Sequence, residues 1–205
     1  MKTKNLKIGI TGGIGSGKSI ICRIFQTLGI PVYDADSRAK WIVNHHPDLR
    51  KELIAEFGAE AYDAQGNYNR AYMAKQVFND GNRVKVLNRL IHPRVGQDFV
   101  DWTHQNSNAP YLLKEAALMF ESGSFLALDK IITVFAPEEV RIQRILKRDP
   151  HRSEDQIKAI FGKQLAEEEK IKRADFVVQN DDQHLVIPQV LELHAQFLKL
   201  AEQTS

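Results

Sequence analysis

Short apolar runs alternate with longer stretches of helical spacing along most of the 205-residue chain. Residues 6–10, 30–33, 111–113, 130–135 and 176–178 have the length and apolar character of buried strands. Residues 19–28 and 138–148 read as helices following the first and fourth of these runs, and the closing segment repeats apolar residues at Val190, Leu193, Phe197 and Leu200. Pro188 falls in the first turn of that last helix, or kinks it. Ser153-Glu154-Asp155-Gln156 has the form of a capping box and predicts another helix start. From Ser37 to Gln105 no convincing strand occurs: residues 48–57, 69–79 and 82–104 are predicted helical, with Pro93 breaking the last stretch. Strand–helix alternation favours an α/β fold with a parallel sheet, and the middle third reads as a helical insertion over it.

Composition changes this picture little. A chain with 43% apolar and 26% charged residues holds one well-packed domain. A net charge of +2 is too small for a nucleic-acid tail or a polybasic membrane anchor. The single cysteine, Cys22, is expected to be a small buried side chain and fits a reducing cytosol. Met1 to Asn5 carry positive charge, but the apolar stretch behind them breaks into glycines, so neither a signal peptide nor a membrane span is expected.

The chemistry is concentrated just behind the first apolar run. Gly12-Gly13-Ile14-Gly15-Ser16-Gly17-Lys18-Ser19 has the G-x-x-x-x-G-K-[ST] spacing of a phosphate-binding loop. Its glycines let successive N–H groups turn toward phosphate oxygens, Lys18 reaches the β and γ phosphates, and the Ser19 hydroxyl suits Mg²⁺. The helix behind the loop directs its positive dipole end at the same anion. A glycine-rich turn that binds nothing is the bland alternative, and the flanking strand and helix argue against it.

Asp34 and Asp36 follow the second strand, where ligands collect in open α/β sheets. If the backbone stays extended, alternation places both carboxylates on one side, one to take a hydroxyl proton and the other to hold water around Mg²⁺. Capping of the helix that starts near Ser37 is the alternative. Arg141, Arg144, Arg148 and Arg152 crowd the stretch after the fourth strand. At about 100° per residue the first three form a stripe opposite Ile142 and Leu146, which are expected to face the core. Such a stripe suits a polyphosphate clamp; a solvated surface paired with Glu138, Glu139 and Asp149 remains the other reading. His45-His46-Pro47 reads as a surface turn and residues 167–173 as a solvated helix face. His92-Pro93-Arg94 reads as a helix break.

Absent signatures sort the classes that share this loop. A GTP switch needs N-K-x-D, which is missing, and its D-x-x-G, which Asp63 to Gly66 match only by letters with no strand before them. A motor ATPase normally ends an apolar strand in an acidic residue, and neither 112–113 nor 131–135 ends that way cleanly. A small-molecule kinase fits better, with a nucleotide-binding regulator as the reading from another class.

Over nearly its whole length the chain resembles the dephospho-coenzyme A kinases. The likeness runs through Thr11 to Ser19, Asp34-Ala35-Asp36 with Arg38, Ile91-His92-Pro93, Leu118-Met119-Phe120-Glu121, Arg144, Arg148-Asp149, and Ala174-Asp175-Phe176-Val177-Val178 with Asn180. The resemblance implies ATP-dependent phosphorylation of the ribose 3′-hydroxyl of dephospho-coenzyme A, with Mg²⁺, no nucleic acid, no membrane and no obligate protein partner, in the cytoplasm. It implies a three-layer P-loop kinase fold with a five-stranded parallel sheet. Within one domain it sets a nucleotide-binding core at about 1–36, 108–147 and 173–205, a helical substrate-binding region at about 37–107 and a lid at about 148–172. Asp36 is similar to the proposed general base, Lys18 and Arg144 to its catalytic partners, and Arg148 and Asn180 with the loop through Ile20 to ATP-binding positions. Asp34, Arg38, His92, Phe120 and Glu121 fall on the acceptor side. Ile20 stands where the family has Thr and Ala117 where it has Pro; the first is expected to alter packing more than chemistry.

Overall fold

The computed structural model describes residues 5–78 and 80–203. Expectations that touch residues 1–4, Asn79, Thr204 and Ser205 lie outside the described residues.

The five apolar runs form one parallel sheet in the order β2-β3-β1-β4-β5, with β1 at Leu6–Thr11, β2 at Val32–Asp34, β3 at Tyr111–Glu115, β4 at Lys130–Phe135 and β5 at Phe176–Gln179. Strands covered on both faces read as continuous apolar runs, and Ile8, Ile10, Leu112, Leu113, Ile132 and Val134 are all fully enclosed. Helix α1 (Lys18–Thr27) buries Lys18, Ile21, Cys22 and Phe25, and the C-terminal helix (Val186–Gln203) buries Val190, Leu193, Phe197 and Ala201. Both sets recur every three or four residues, so each helix lays one stripe on the sheet. Leu200 packs only at the margin, and Ala201 takes the innermost position in that turn. Pro188 is the third residue of its helix, where a missing N–H costs nothing. An aromatic cluster joins these elements: Phe197 meets Phe25, Tyr111 and Phe176 at centroid distances of 6.4, 5.4 and 5.2 Å.

Residues Ala35–Trp102 form a second compact unit; Met1–Asp34 with Thr103–Ser205 form the first. In chain order the second unit carries α2 (Ala35–His45), α3 (Pro47–Phe57), a single 3₁₀ turn (Ala59–Ala61), α4 (Arg70–Val77) and most of α5 (Gly81–Gln105). Its own core is Ile42, Val43, Leu49, Leu53, Phe57, Ala61, Tyr62 and Met73. His46 caps α3 by accepting the Leu49 N–H at 3.2 Å, and Pro47 follows as its first residue, which gives the His-His-Pro turn a structural purpose. The expected break at Pro93 does not occur: α5 runs through it. One lost backbone bond is outweighed because Val86, Leu87, Leu90, Ile91 and Val95, on both sides of the proline, pack on the same core.

Three tyrosines make stability sensitive to alkali. Burial raises the hydroxyls of Tyr62, Tyr68 and Tyr111, that of Tyr68 to about 12. Below the ordinary value of 10.0 folded and unfolded chains are both protonated there; above it the unfolded chain ionises first. The contribution of these hydroxyls is therefore complete below pH 10 and is lost as pH rises toward 12. Urea midpoints measured across this window should fall, and Tyr68→Phe should flatten the decline.

Candidate phosphate-loop active site

Residues 12–19 leave β1 at the carboxyl edge of the sheet and enter α1 directly. The turn needs Gly17, which sits at φ 93° as the α1 N-cap. A Cβ there would also lie 2.1 Å from Asn180 Nδ2. That close approach has a use: Asn180 Nδ2 donates to the Ser16 carbonyl at 2.7 Å, so the residue after β5 braces the loop. Lys18 is buried and folds back over the arc, donating to the carbonyls of Gly12 at 2.9 Å and Gly13 at 3.3 Å. Ser19 and Ile20 are exposed at the start of α1. Because Ile20 is 56% exposed, its departure from the family residue falls at the surface and not in packing. The Ser16 hydroxyl is buried and has no hydrogen-bond partner among the described residues, a polar atom that a ligand could satisfy.

Two carboxylates stand beside the loop, and one was missed in the sequence. Asp34 ends β2 in register with Glu115, the last residue of β3, and Glu115 also pairs in register with Ile10 of β1. Strand β3 thus runs two residues past Leu113 and does end in an acid, on the strand next to the one that launches the loop. The signal was present in Lys114-Glu115, but a charged pair looked like the end of an apolar run. Both carboxylates bear on Cys22: burial, then the charge and hydrogen bond of Glu115, push its thiol up, while Lys18 pulls it down. Cys22 is therefore a neutral thiol packed against the loop's charged groups. Asp36 lies in the first turn of α2, so the extended Asp-x-Asp alternation expected for it and Asp34 does not apply. Its place suits a carboxylate for another reason, since the helix dipole favours a negative charge there.

The arginine stripe divides. Helix α6 (Glu138–Arg148) buries Arg141 and Ile145; Ile142 and Leu146 are only half-buried, so the expected core face is wrong by about one position. Arg141 goes inward because it has partners: its guanidinium lies 4.2 Å over Phe161 and its Nη1 is 3.5 Å from Glu167 Oε1. Arg144 reaches Asn180 Oδ1 at 3.4 Å and pairs with Asp182. Arg148 and Arg152 instead share Asp149, at 2.9 and 3.3 Å. Arg144 is thus tied to the Asn180 that braces the loop, whereas Arg148 points into solvent.

Two short helices follow, α7 (Glu154–Phe161) and α8 (Glu167–Arg173). The capping box at Ser153 is complete, with Ser153 and Gln156 exchanging hydrogen bonds. Ser153→Ala should cost about 1 kcal/mol locally, read as faster amide exchange across α7. The expectation of a solvated face over 167–173 fails at two positions. Lys170 is fully buried and its Nζ lies 2.8 Å from Glu167 Oε1, so these charges form an interior pair. Glu121 accepts the Leu165 N–H at 2.7 Å, and Phe120 is buried beneath Arg173. A cavity of about 330 Å³ opens between the end of β4, α6 and this segment, lined among others by Phe135, Arg141, Phe161 and Glu167.

In the second unit Arg38 pairs with Asp98 and lies 4.6 Å over the Trp41 ring. His92 precedes Pro93 within α5. Arg38 and Asp36 share α2, and His92 and Asp98 share α5.

The description of the matching family model is dephospho-CoA kinase, over residues 6–185. A dephospho-CoA kinase of Bacteroides fragilis strain YCH46 is 39% identical over 190 residues, covering 93% of this chain and 92% of that protein. A crystal structure of a Thermus thermophilus protein superposes with a TM-score of 0.81 at 31% identity, covering 94% of this chain and 97% of the other. The dephospho-CoA kinase of Campylobacter jejuni gives 0.69 at 25% identity, with the same coverage of 94% and 97%.

Proposed function

The chain belongs to the dephospho-coenzyme A kinase family, and from that premise we propose how its residues divide the work. It is a phosphotransferase acting on an alcohol: ATP phosphorylates the ribose 3′-hydroxyl of dephospho-coenzyme A, giving coenzyme A and ADP, the last step of coenzyme A synthesis. The observation that carries this reading is the loop itself, a strand-to-helix arc braced by Asn180 with the Lys18 ammonium folded across it.

In the proposed division, the amides of residues 12–19 and the α1 N-terminus hold the triphosphate, and Lys18 exchanges its two carbonyl acceptors for phosphate oxygens. Arg144 brings a second cation, already oriented by Asn180 and Asp182. Asn180 acts first as the brace of the loop and, through its link to Arg144, marks the nucleotide side. Arg148, exposed and paired with its neighbour Asp149 at 2.9 Å, turns toward ATP. Asp36 accepts the acceptor hydroxyl proton. The hydroxyl of Ser19 and the in-register carboxylates Asp34 and Glu115 are hard oxygen donors that fit Mg²⁺, whose charge would neutralise the phosphate oxygens when bound. Because the transition state of phosphoryl transfer is loose, positioning and electrostatics outweigh the base.

The second unit, with Arg38 and His92, is assigned to the acceptor, together with Phe120 and Glu121; residues 148–172 are assigned to a lid. Arg38 in a bidentate pair on an aromatic ring is pre-oriented for an acceptor phosphate. Among the described residues no helix is long and apolar enough to cross a membrane. We place the protein in the cytoplasm, acting without nucleic acid or an obligate protein partner.

The test is incubation of the purified chain with dephospho-coenzyme A, ATP and Mg²⁺, read by mass spectrometry for the gain of one phosphoryl group and by ³¹P–¹H NMR for its position. Transfer to adenosine or to nucleoside monophosphates in preference to dephospho-coenzyme A would reassign the acceptor to another small-molecule kinase.

A further inference from the structure

The segment joining α7 to α8 is fastened to the phosphate loop itself. The Gln164 carboxamide oxygen accepts the Ile14 N–H at 3.0 Å. That amide belongs to the run of loop N–H groups whose general use is to hold phosphate oxygens. Next to it, Arg141 Nη1 and Glu167 Oε1 lie directly on Gly13: a Cβ on that glycine would meet them at 2.1 and 2.6 Å. A neutral carbonyl oxygen and a carboxylate, the protein groups most like phosphate oxygens, therefore occupy the first arc of the loop.

The charges there are held but not balanced. Glu167 sits between Arg141, at 3.5 Å, and the buried Lys170, at 2.8 Å. Two enclosed cations face one carboxylate, and Arg141 Nε is buried without a hydrogen-bond partner among the described residues. Such a cluster has spare capacity for another anion. The tie is reinforced by the Leu165 N–H donated to Glu121.

We propose that Gln164 and Glu167 form a phosphate-responsive latch, in which the carboxamide and carboxylate hold the Ile14 amide and Arg141 until a nucleotide phosphate takes both. Seating the triphosphate and releasing residues 162–167 from the loop are then one event. The latch rests on the reading of this loop as the nucleotide site. While the latch holds, the Ile14 amide has its acceptor within the chain and Arg141 is paired with Glu167, so ATP must displace Gln164 to seat its phosphates. Net affinity is reduced by the strength of that contact.

The test compares the intact wild-type chain with Gln164→Ala and Gln164→Glu, using calorimetry with ATP and Mg²⁺ and no acceptor, and amide exchange over residues 162–167. Gln164→Ala should tighten ATP by about 2- to 10-fold, the worth of one net hydrogen bond, and should raise exchange in the nucleotide-free protein to the level the wild type shows with ATP. Gln164→Glu should weaken ATP, because a carboxylate accepts the amide more strongly and repels phosphate. If both variants weaken ATP, Gln164 is a nucleotide ligand and the latch is overturned. Unaltered affinity and exchange in Gln164→Ala overturns it equally. A wild type that takes up no ATP would sink the nucleotide reading, and the latch with it; normal wild-type uptake confines a failure to the latch.

Discussion

Replacing Lys18 with methionine is expected to lower kcat by about 10²–10³-fold, the usual loss when one preorganised donor is removed from a charge-developing transition state. The side chain is buried, and the carbonyls it rests on are neutral acceptors held at the edge of the loop. A phosphate oxygen is a much stronger acceptor in the same low-dielectric setting, so the ammonium gains more from the reacting phosphoryl group than from its resting contacts. Methionine keeps the unbranched stem that packs behind the loop, and the fold should lose only about 1 kcal/mol from the missing hydrogen bonds. Steady-state kinetics with dephospho-coenzyme A, alongside urea unfolding, separates the two effects. A variant that kept kcat within a few-fold of wild type would remove Lys18 from the chemistry, and a variant that failed to fold would show the residue to be structural.

The residues differ in how readily their roles were legible. Strand β4 and helix α6 have the bounds their apolar pattern implies, since continuous burial in a parallel sheet leaves a direct trace in sequence, although the face that α6 buries lies about one position away from the apolar stripe. The phosphate loop was legible because its glycine spacing is set by backbone geometry that no other composition reproduces at that length. What escaped were charges that point inward. Arg141 and Lys170 are buried, and Glu115 closes a buried strand, yet in sequence each looks like a surface residue. Periodicity assumes that charge faces water; it fails where distant segments supply partners, as Phe161 and Glu167 do for Arg141. Pro93 failed for a related reason, because packing on both sides of it overrides the local preference for a break. The Asp34–Asp36 alternation failed at a boundary, where the chain changes from strand to helix between them.

Replacing Asp36 with asparagine is expected to reduce kcat by about 10²–10⁴-fold, the range for general-base catalysis, while ATP binding measured by calorimetry stays near the wild-type value. The amide keeps the shape of the carboxylate at an exposed position in the first turn of α2, so the fold should persist. It cannot take a proton. The loss should fall toward the lower end of that range if phosphoryl transfer is well advanced before the proton moves, as a loose transition state requires. Asp34→Asn offers the contrast. Asp34 is the residue in register with Glu115 beside the loop, so its loss should raise the Mg²⁺ concentration needed for half-maximal rate more than it lowers the rate at saturating metal. Magnesium titrations of both variants therefore distinguish proton acceptance from metal support: if Asp36→Asn is restored by excess Mg²⁺, or turns over near the wild-type rate, the base lies elsewhere.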